Sequence, residues 1–119
     1  MDNISFAFVL KSENYITFSV SVNSGCFSGK SNFCLSQTTI STVIEALRLL
    51  NRELAGEYSI FDSDSDDFVQ ISFKKYGHLR ISGQLGGSFN KEYLVYCFDS
   101  DQTLLTQIIE SLQQFVESN

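Results

Sequence analysis

Several residue types are scarce in this 119-residue sequence, and each shortage excludes a kind of segment, partner or location. There is no proline and no tryptophan. Without proline there is no proline-rich linker, and no stretch of biased composition is long enough to divide the chain. We therefore predict a single domain over residues 1–119, a typical domain length. The hydrophobic fraction of 43%, with 11 phenylalanines, is sufficient for one core.

Basic residues are also few. Eight lysines and arginines stand against 14 acids, so the net charge is −6. An excess of negative charge repels nucleic acid and anionic membrane surfaces, and it favours basic protein partners. We therefore expect a protein partner, and neither nucleic acid nor a membrane.

Long apolar runs and cysteine pairs are missing as well. No run approaches the roughly 18 residues that span a bilayer, and residues 1–10 carry no base, unlike the leader of a secretory signal. The three cysteines, Cys26, Cys34 and Cys97, cannot all pair within one chain and form no CxxC. An odd cysteine count without a signal is typical of a reducing cytosol, so we expect a cytoplasmic protein.

Hydrophobic periodicity predicts seven strands. Alternating apolar residues mark strands at 4–10 and 15–23, and the first alternation assigns Leu10 to the apolar face. Glycines and serines over 24–30 indicate a turn or bulge. Further strands are predicted at 31–36, 57–61, 69–73, 79–85 and 93–99. The last of these is apolar at both parities, which predicts a buried strand with Cys97 inside.

Two helices interrupt the strands. Apolar residues recur at spacings of three and four over 40–54 and 105–116, the stripe of an amphipathic helix. Thr38 or Thr39 could cap the first helix, and Asp99 is the predicted cap of the second.

The order of elements is βββα followed by ββββα, which is typical of an α+β fold. We predict two layers: a mainly antiparallel sheet of six to seven strands, with both helices packed on one face. The other face of the sheet, rich in serine, threonine and glutamine, is left open and could serve for docking. The exposed edge of the strand at 4–10 could pair with a copy of itself, so we expect a monomer or a weak homodimer.

The segment FDSDSDDF, residues 61–68, holds four aspartates: Asp62, Asp64, Asp66 and Asp67. Three interpretations apply: a calcium loop, a solvated turn, or a negative patch for a basic partner. A calcium loop of the EF-hand type needs glycine at its sixth position and glutamate at its twelfth. Counted from Asp62, those positions hold Asp67 and Phe73. A weak cation site and a simple solubilising turn stay open.

Catalytic and metal-binding patterns are incomplete. His78 and Cys97 could form a thiol–imidazole pair, but no oriented base, oxyanion hole or GxSxG elbow accompanies them. Seven residues separate Cys26 from Cys34, unlike the tight ligand pairs of structural zinc. We expect no enzyme, no cofactor and no metal, with an enzyme that uses Cys97 and His78 as a rival hypothesis.

Larger segments carry a family resemblance. The first is ITFSVSVNSGCFSGKSNFCLSQTTISTVIEALRLLNRELAGE, with S-G-x-F-S-G between strands and L-x-x-L-N-x-x-L in the helix. The others are FVQISFKKYGHLRISGQL and LVYCFDSDQTLLTQIIESLQQF. From about residue 15 onward the chain resembles the WapI-type immunity proteins, small bacterial cytosolic domains. The resemblance implies a non-enzymatic inhibitor that binds the C-terminal effector domain of a secreted polymorphic toxin, without catalytic residues or cofactor.

Charge and resemblance together predict a site. Nuclease toxins carry basic surfaces for their substrates, and an acidic inhibitor would be steered to such a surface. We therefore predict that Asp62, Asp64, Asp66 and Asp67 bind a basic toxin domain, with Glu57 nearby. The alternative is a small adaptor or ligand-binding module of unknown partner that uses the open polar sheet face.

Overall fold

The computed structural model describes residues 2–87 and 92–117. The strands are β1 (Asn3–Ser12), β2 (Tyr15–Ser24), β3 (Phe27–Ser36), β4 (Glu57–Phe61), β5 (Phe68–Phe73), β6 (Leu79–Leu85) and β7 (Leu94–Ser100). The helices are α1 (Gln37–Glu53) and α2 (Gln102–Glu117), with a 3-10 turn at Lys75–Gly77. The predicted α+β class and the order βββα-ββββα are confirmed. Neither α-helix in these ranges has the length and hydrophobicity needed to cross a membrane.

The strands form two antiparallel sheets instead of one continuous sheet. The first sheet has the order β1-β2-β3 and the second has the order β4-β5-β6-β7. Between them α1 carries the chain from β3 to β4, and the two strands do not pair. Instead the loop after β4 bonds to the outer edge of β3, as described below. The two sheets also touch where β2 and β3 meet β7 and β6.

The inward faces of both sheets and both helices share one hydrophobic core. The alternation predicted for β2 is confirmed, because Ile16, Phe18, Val20 and Val22 are all buried. The ring of Phe18 lies 5.5 Å from that of Phe115 in α2, measured between centroids. Aromatic pairs at this separation add to the stabilisation from buried area. This contact between aromatic rings therefore helps to hold α2 against the first sheet.

A β-bulge in β1 overturns the prediction for Leu10. The β1–β2 register shifts between Phe8 and Leu10, and Leu10 pairs with Thr17 on the polar face. Leu10 is 49% exposed. An extra residue in one strand reverses the face of every residue after it, which simple alternation does not anticipate.

The segment 24–30, predicted as a turn or a bulge, is mostly strand. Only residues 25–26 turn, and β3 already begins at Phe27. Within β3, a Cβ on Gly29 would lie 3.0 Å from Cδ2 of Leu94. The missing side chain lets β3 and β7 approach closely, so this glycine serves packing between the sheets.

Both helix caps differ from the prediction. The hydroxyl of Ser36 accepts a hydrogen bond from the Thr39 amide at 3.1 Å, so Ser36 caps α1. For α2, a carboxylate oxygen of Asp101 accepts from the Thr103 amide at 3.0 Å. Asp99 instead belongs to β7, because its strand continues one residue beyond it. An N-cap needs the position just before the first turn, which the strand end determines.

Candidate protein-binding site

Asp67 is an internal anchor. It is only 2% exposed. One carboxylate oxygen accepts from the Gly87 amide at 2.7 Å. The other accepts from the Ser31 hydroxyl at 2.9 Å and from the Gly86 amide at 3.0 Å. One carboxylate therefore ties the loop to β3 and to the end of β6, and each of these bonds is strengthened by its charge.

Asp62, 8% exposed, covers the outer edge of β3. One oxygen accepts from the Cys34 amide at 2.9 Å, and the other accepts from the Ser65 hydroxyl at 2.7 Å. The Ser63 amide donates to the Cys34 carbonyl at 3.3 Å. Both backbone groups of Cys34 on the open side of β3 are therefore satisfied by the loop. Covering an edge in this way prevents pairing with another chain.

The loop also closes on itself. The Asp62 amide donates to the Asp67 carbonyl at 3.0 Å, and the Asp67 amide donates to the Ser65 hydroxyl at 3.2 Å. Two of the four aspartates therefore serve the fold. The sequence pattern did not indicate this role, because the donors come from distant segments.

Tyr96 shares the environment of Asp67. Its ring is 4% exposed, and its hydroxyl donates to the Phe68 carbonyl at 3.4 Å. Burial raises the pKa of Tyr96 above its ordinary value, and the negative charge of Asp67 raises it further. A Cβ on Gly83 would lie 2.5 Å from the Tyr96 hydroxyl oxygen and would collide with the Phe68 carbonyl. Glycine in the middle of β6 is therefore required for the tyrosine to cross the strand.

The remaining predicted site residues face outward. Asp64 and Asp66 are exposed at the tip of the loop, which we call the acidic tip. Glu57 is exposed too, and its carboxylate accepts from the Gln70 side-chain amide at 3.0 Å. It begins β4 whereas the loop follows Phe61, so about 13 Å of strand separates them. The structure brings Asp64 and Asp66 together and leaves Glu57 at the other end of β4.

The outer face of the second sheet consists of three rows that run across its four strands. The charged row is Glu57, Ser72, Arg80 and Asp99; the polar row is Ser59, Gln70, Ser82 and Cys97; the apolar row is Phe61, Phe68, Gln84 and Val95. In the charged row, Nε of Arg80 lies 3.2 Å from a carboxylate oxygen of Asp99, and Nζ of Lys74 lies 3.9 Å from the other. The positive groups at this end of the sheet are thus partly neutralised.

The apolar row lies at the opposite end, beside the acidic tip. Phe61 is 63% exposed and Val95 is 68% exposed. The rings of Phe61 and Phe68 pack at 6.1 Å between centroids. The side-chain amide nitrogen of Gln84, Nε2, is buried and has no hydrogen-bond partner within residues 2–87 and 92–117. Sequence reasoning missed this row, because no face was assigned to the residues of the short strand at 57–61.

The prediction for β7 as a fully buried strand is wrong. It is an edge strand of the second sheet, and Val95 and Cys97 are exposed while Tyr96 and Phe98 are buried. Apolar residues at both parities are typical of central strands in covered sheets. Here the outward apolar residue belongs to an open face.

Cys97 and His78 do not form a pair along the sheet. Cys97 is opposite Ser82, whereas His78 precedes Leu79, whose partner is Ser100. About 10 Å of strand therefore lies between the two positions. Within the described ranges, no group of three or more histidine, cysteine or acidic side chains is arranged to hold a metal ion.

The fold and these surfaces define a small α+β domain with open sheet faces, suited to contact with another macromolecule. A family model described as the Immunity protein WapI-like family matches residues 3–118, and the chain belongs to this family. The resemblance predicted above is confirmed. No curated protein and no solved structure matches the chain. Membership supports a toxin-neutralising role with a protein toxin as partner, and it suggests a role without catalysis.

Proposed function

We propose that the chain binds and neutralises the C-terminal effector domain of a cognate bacterial toxin through an acidic and polar surface, without catalysis. Membership in an immunity-protein family over residues 3–118 carries this proposal. The net charge of −6 supports a basic partner, because opposite charges accelerate encounter.

The four aspartates contribute in two ways. Asp64 and Asp66 are exposed and act directly, by attracting basic groups of the toxin. Asp62 and Asp67 are buried and act indirectly, because their hydrogen bonds hold the loop in the shape that presents the acidic tip. Glu57 extends the negative surface along the outer edge of β4.

The inhibitor acts in the cytoplasm as a monomer or a weak homodimer. Cys26 and Cys97 are exposed free thiols, and such thiols persist in a reducing compartment. The outer edge of β3, at Cys34, is bonded by the loop and is not available to a second copy. β1 is the other edge strand of the same sheet, so a homodimer would pair there.

Neutralisation can be tested with the C-terminal effector domain of a candidate secreted toxin from the same genome. Cells that express this domain should survive only when the chain is co-expressed, and the two purified proteins should form a 1:1 complex. Failure of both protection and complex formation would overturn the proposed function.

Steering by charge needs a second measurement. The double variant Asp64→Asn/Asp66→Asn should associate about tenfold more slowly at low salt and should show a weaker dependence of the association rate on salt. A control that removes two exposed acids from the helices, Glu53→Gln/Glu110→Gln, should keep most of the rate. Equal rates for the two variants would argue against a special role of the acidic tip.

A further inference from the structure

The apolar row occupies neighbouring positions on four strands, with Gln84 as its one polar member. Neighbouring strands lie about 4.8 Å apart, so the three steps from Phe61 to Val95 span about 14 Å. Single exposed apolar residues are common, whereas a connected strip rimmed by polar groups marks an interaction site. Two of its four members are more than 60% exposed, and the Phe61 and Phe68 rings pack together.

Gln84 adds an independent observation. Its side-chain nitrogen is buried without a hydrogen-bond partner in the part of the chain described. Buried donors are nearly always paired, because an unpaired donor costs the free energy of its lost hydration. Its place between Phe68 and Val95 in the register puts it within the strip. If this side chain rotates outward, an acceptor on a docked partner can satisfy it.

The charges around the strip are asymmetric. The loop that joins Phe61 to Phe68 carries the acidic tip, with Asp64 and Asp66 exposed. The bases Arg80 and Lys74 lie at the far end of the same sheet and contact Asp99. The strip therefore has a negative rim at the loop, and a partner with positive charge complements it.

A second exposed apolar patch lies on the first sheet and lacks this rim. It consists of Phe8, Val9, Leu10 and Tyr15, which are between 41% and 52% exposed. The charged residues next to it in the chain are one base, Lys11, and one acid, Glu13. Charge complementarity thus separates the two patches and selects the apolar row.

We infer that the apolar row anchors the toxin's effector domain by receiving an apolar side chain that lies between lysine or arginine residues of the toxin. This inference rests on the proposed function. The acidic tip and the apolar row affect different rates. Asp64 and Asp66 accelerate association, and the desolvated contact on Phe61 and Val95 slows dissociation. Central apolar anchors with a polar rim carry most of the binding free energy in protein interfaces.

Dissociation kinetics test the anchor, with the toxin effector domain that the chain neutralises as the probe. Phe61→Ala/Val95→Ala should raise the dissociation rate at least tenfold and leave the association rate within about twofold. The matched control is Leu10→Ala/Tyr15→Ala on the first sheet, which should change neither rate. Thermal unfolding of each free variant verifies that it is folded.

The native thiols provide a readout without mutation. Cys97 is exposed in the polar row, two residues from Val95, and Cys26 is exposed in the β2–β3 turn of the first sheet. In the complex, maleimide labelling of Cys97 should slow at least tenfold while that of Cys26 stays unchanged.

The outcomes separate this inference from the proposed function. A wild-type chain that neutralises the toxin, with an unchanged dissociation rate in Phe61→Ala/Val95→Ala and unprotected Cys97, overturns the anchor and leaves the proposed function standing. A wild-type chain that does not bind the effector domain overturns both.

Discussion

Two pairs of aspartates in one loop have the same side chain and opposite environments. Asp62 and Asp67, at the ends of the loop, are buried and accept hydrogen bonds from β3 and from the end of β6. Asp64 and Asp66, at its tip, are exposed. A buried carboxylate is tolerated only where donors replace its water, and here each inner carboxylate has them. A count of acids in a sequence therefore overstates the charge that a partner meets.

The largest effect expected from this comparison is at Asp67. Asp67→Ala removes the acceptor for the Gly86 and Gly87 amides and for the Ser31 hydroxyl, and with it three charge-assisted hydrogen bonds that hold the loop. We expect unfolding in urea to require about 3–5 kcal/mol less free energy. A loss below about 1 kcal/mol would show that water replaces the carboxylate and that Asp67 is not an anchor.

Asp62→Ala should have the next largest effect. It frees the Cys34 amide on the β3 edge and the Ser65 hydroxyl. The expected loss is about 1–3 kcal/mol, measured in the same urea titration. Asp62→Asn keeps one carbonyl oxygen for the Cys34 amide and serves as the control, with a smaller loss. Equal losses in both variants would instead assign the stabilisation to the negative charge.

Tyr96 makes the stability of the fold depend on pH. Because Asp67 is one cause of its raised pKa, this dependence also tests the buried charge of Asp67. Burial, and then the charge of Asp67, raise the pKa of Tyr96 above the ordinary tyrosine value of about 10. In the unfolded chain Tyr96 loses its proton near pH 10, while in the folded chain it keeps the proton. The unfolded state then binds fewer protons. The contribution of Tyr96 to the free energy of unfolding is therefore fully present below pH 10, and it is lost as the pH rises above 10.

Urea titrations between pH 8 and 11 should show this fall, and Tyr96→Phe should make the curve flatter. The Asp67→Asn variant should show a smaller fall than the wild type, since one cause of the raised pKa is removed. An identical slope in Tyr96→Phe would mean that other groups cause the alkaline loss.

The smallest effect on stability is expected at the tip. Asp64→Asn changes an exposed residue and should alter the free energy of unfolding by at most about 0.5 kcal/mol. The same variant should slow association with the toxin domain at low salt. A loss of stability comparable to that of Asp62→Ala would show that the tip, too, is structural.

Much of the architecture follows from local patterns. The alternation in β2 correctly separated Ile16 and Phe18 from Thr17 and Ser19, because a strand whose one face lies on the core repeats every two residues. The same reasoning failed at Leu10, where a bulge shifts the register, and at Val95, whose strand is at an edge. Both errors concern pairing between strands, which no single segment encodes.

The candidate site shows the same division. The sequence identified an acid-rich segment, but it did not distinguish Asp67 from Asp64. The apolar row combines residues of four strands, so it becomes visible only when the register is known. Phe61 and Val95 are 34 positions apart in the chain (95 − 61).

The sequence by itself determined the two helices, the order of the elements, the acidic charge and the family, since each depends on local spacing, composition or motif. Only the tertiary structure decided which aspartates turn inward. The Ser31 hydroxyl that meets Asp67 is 36 positions away, and the Gly87 amide is 20 positions away. Whether a carboxylate is buried depends on donors delivered by other strands, and those donors exist only once the sheets have come together.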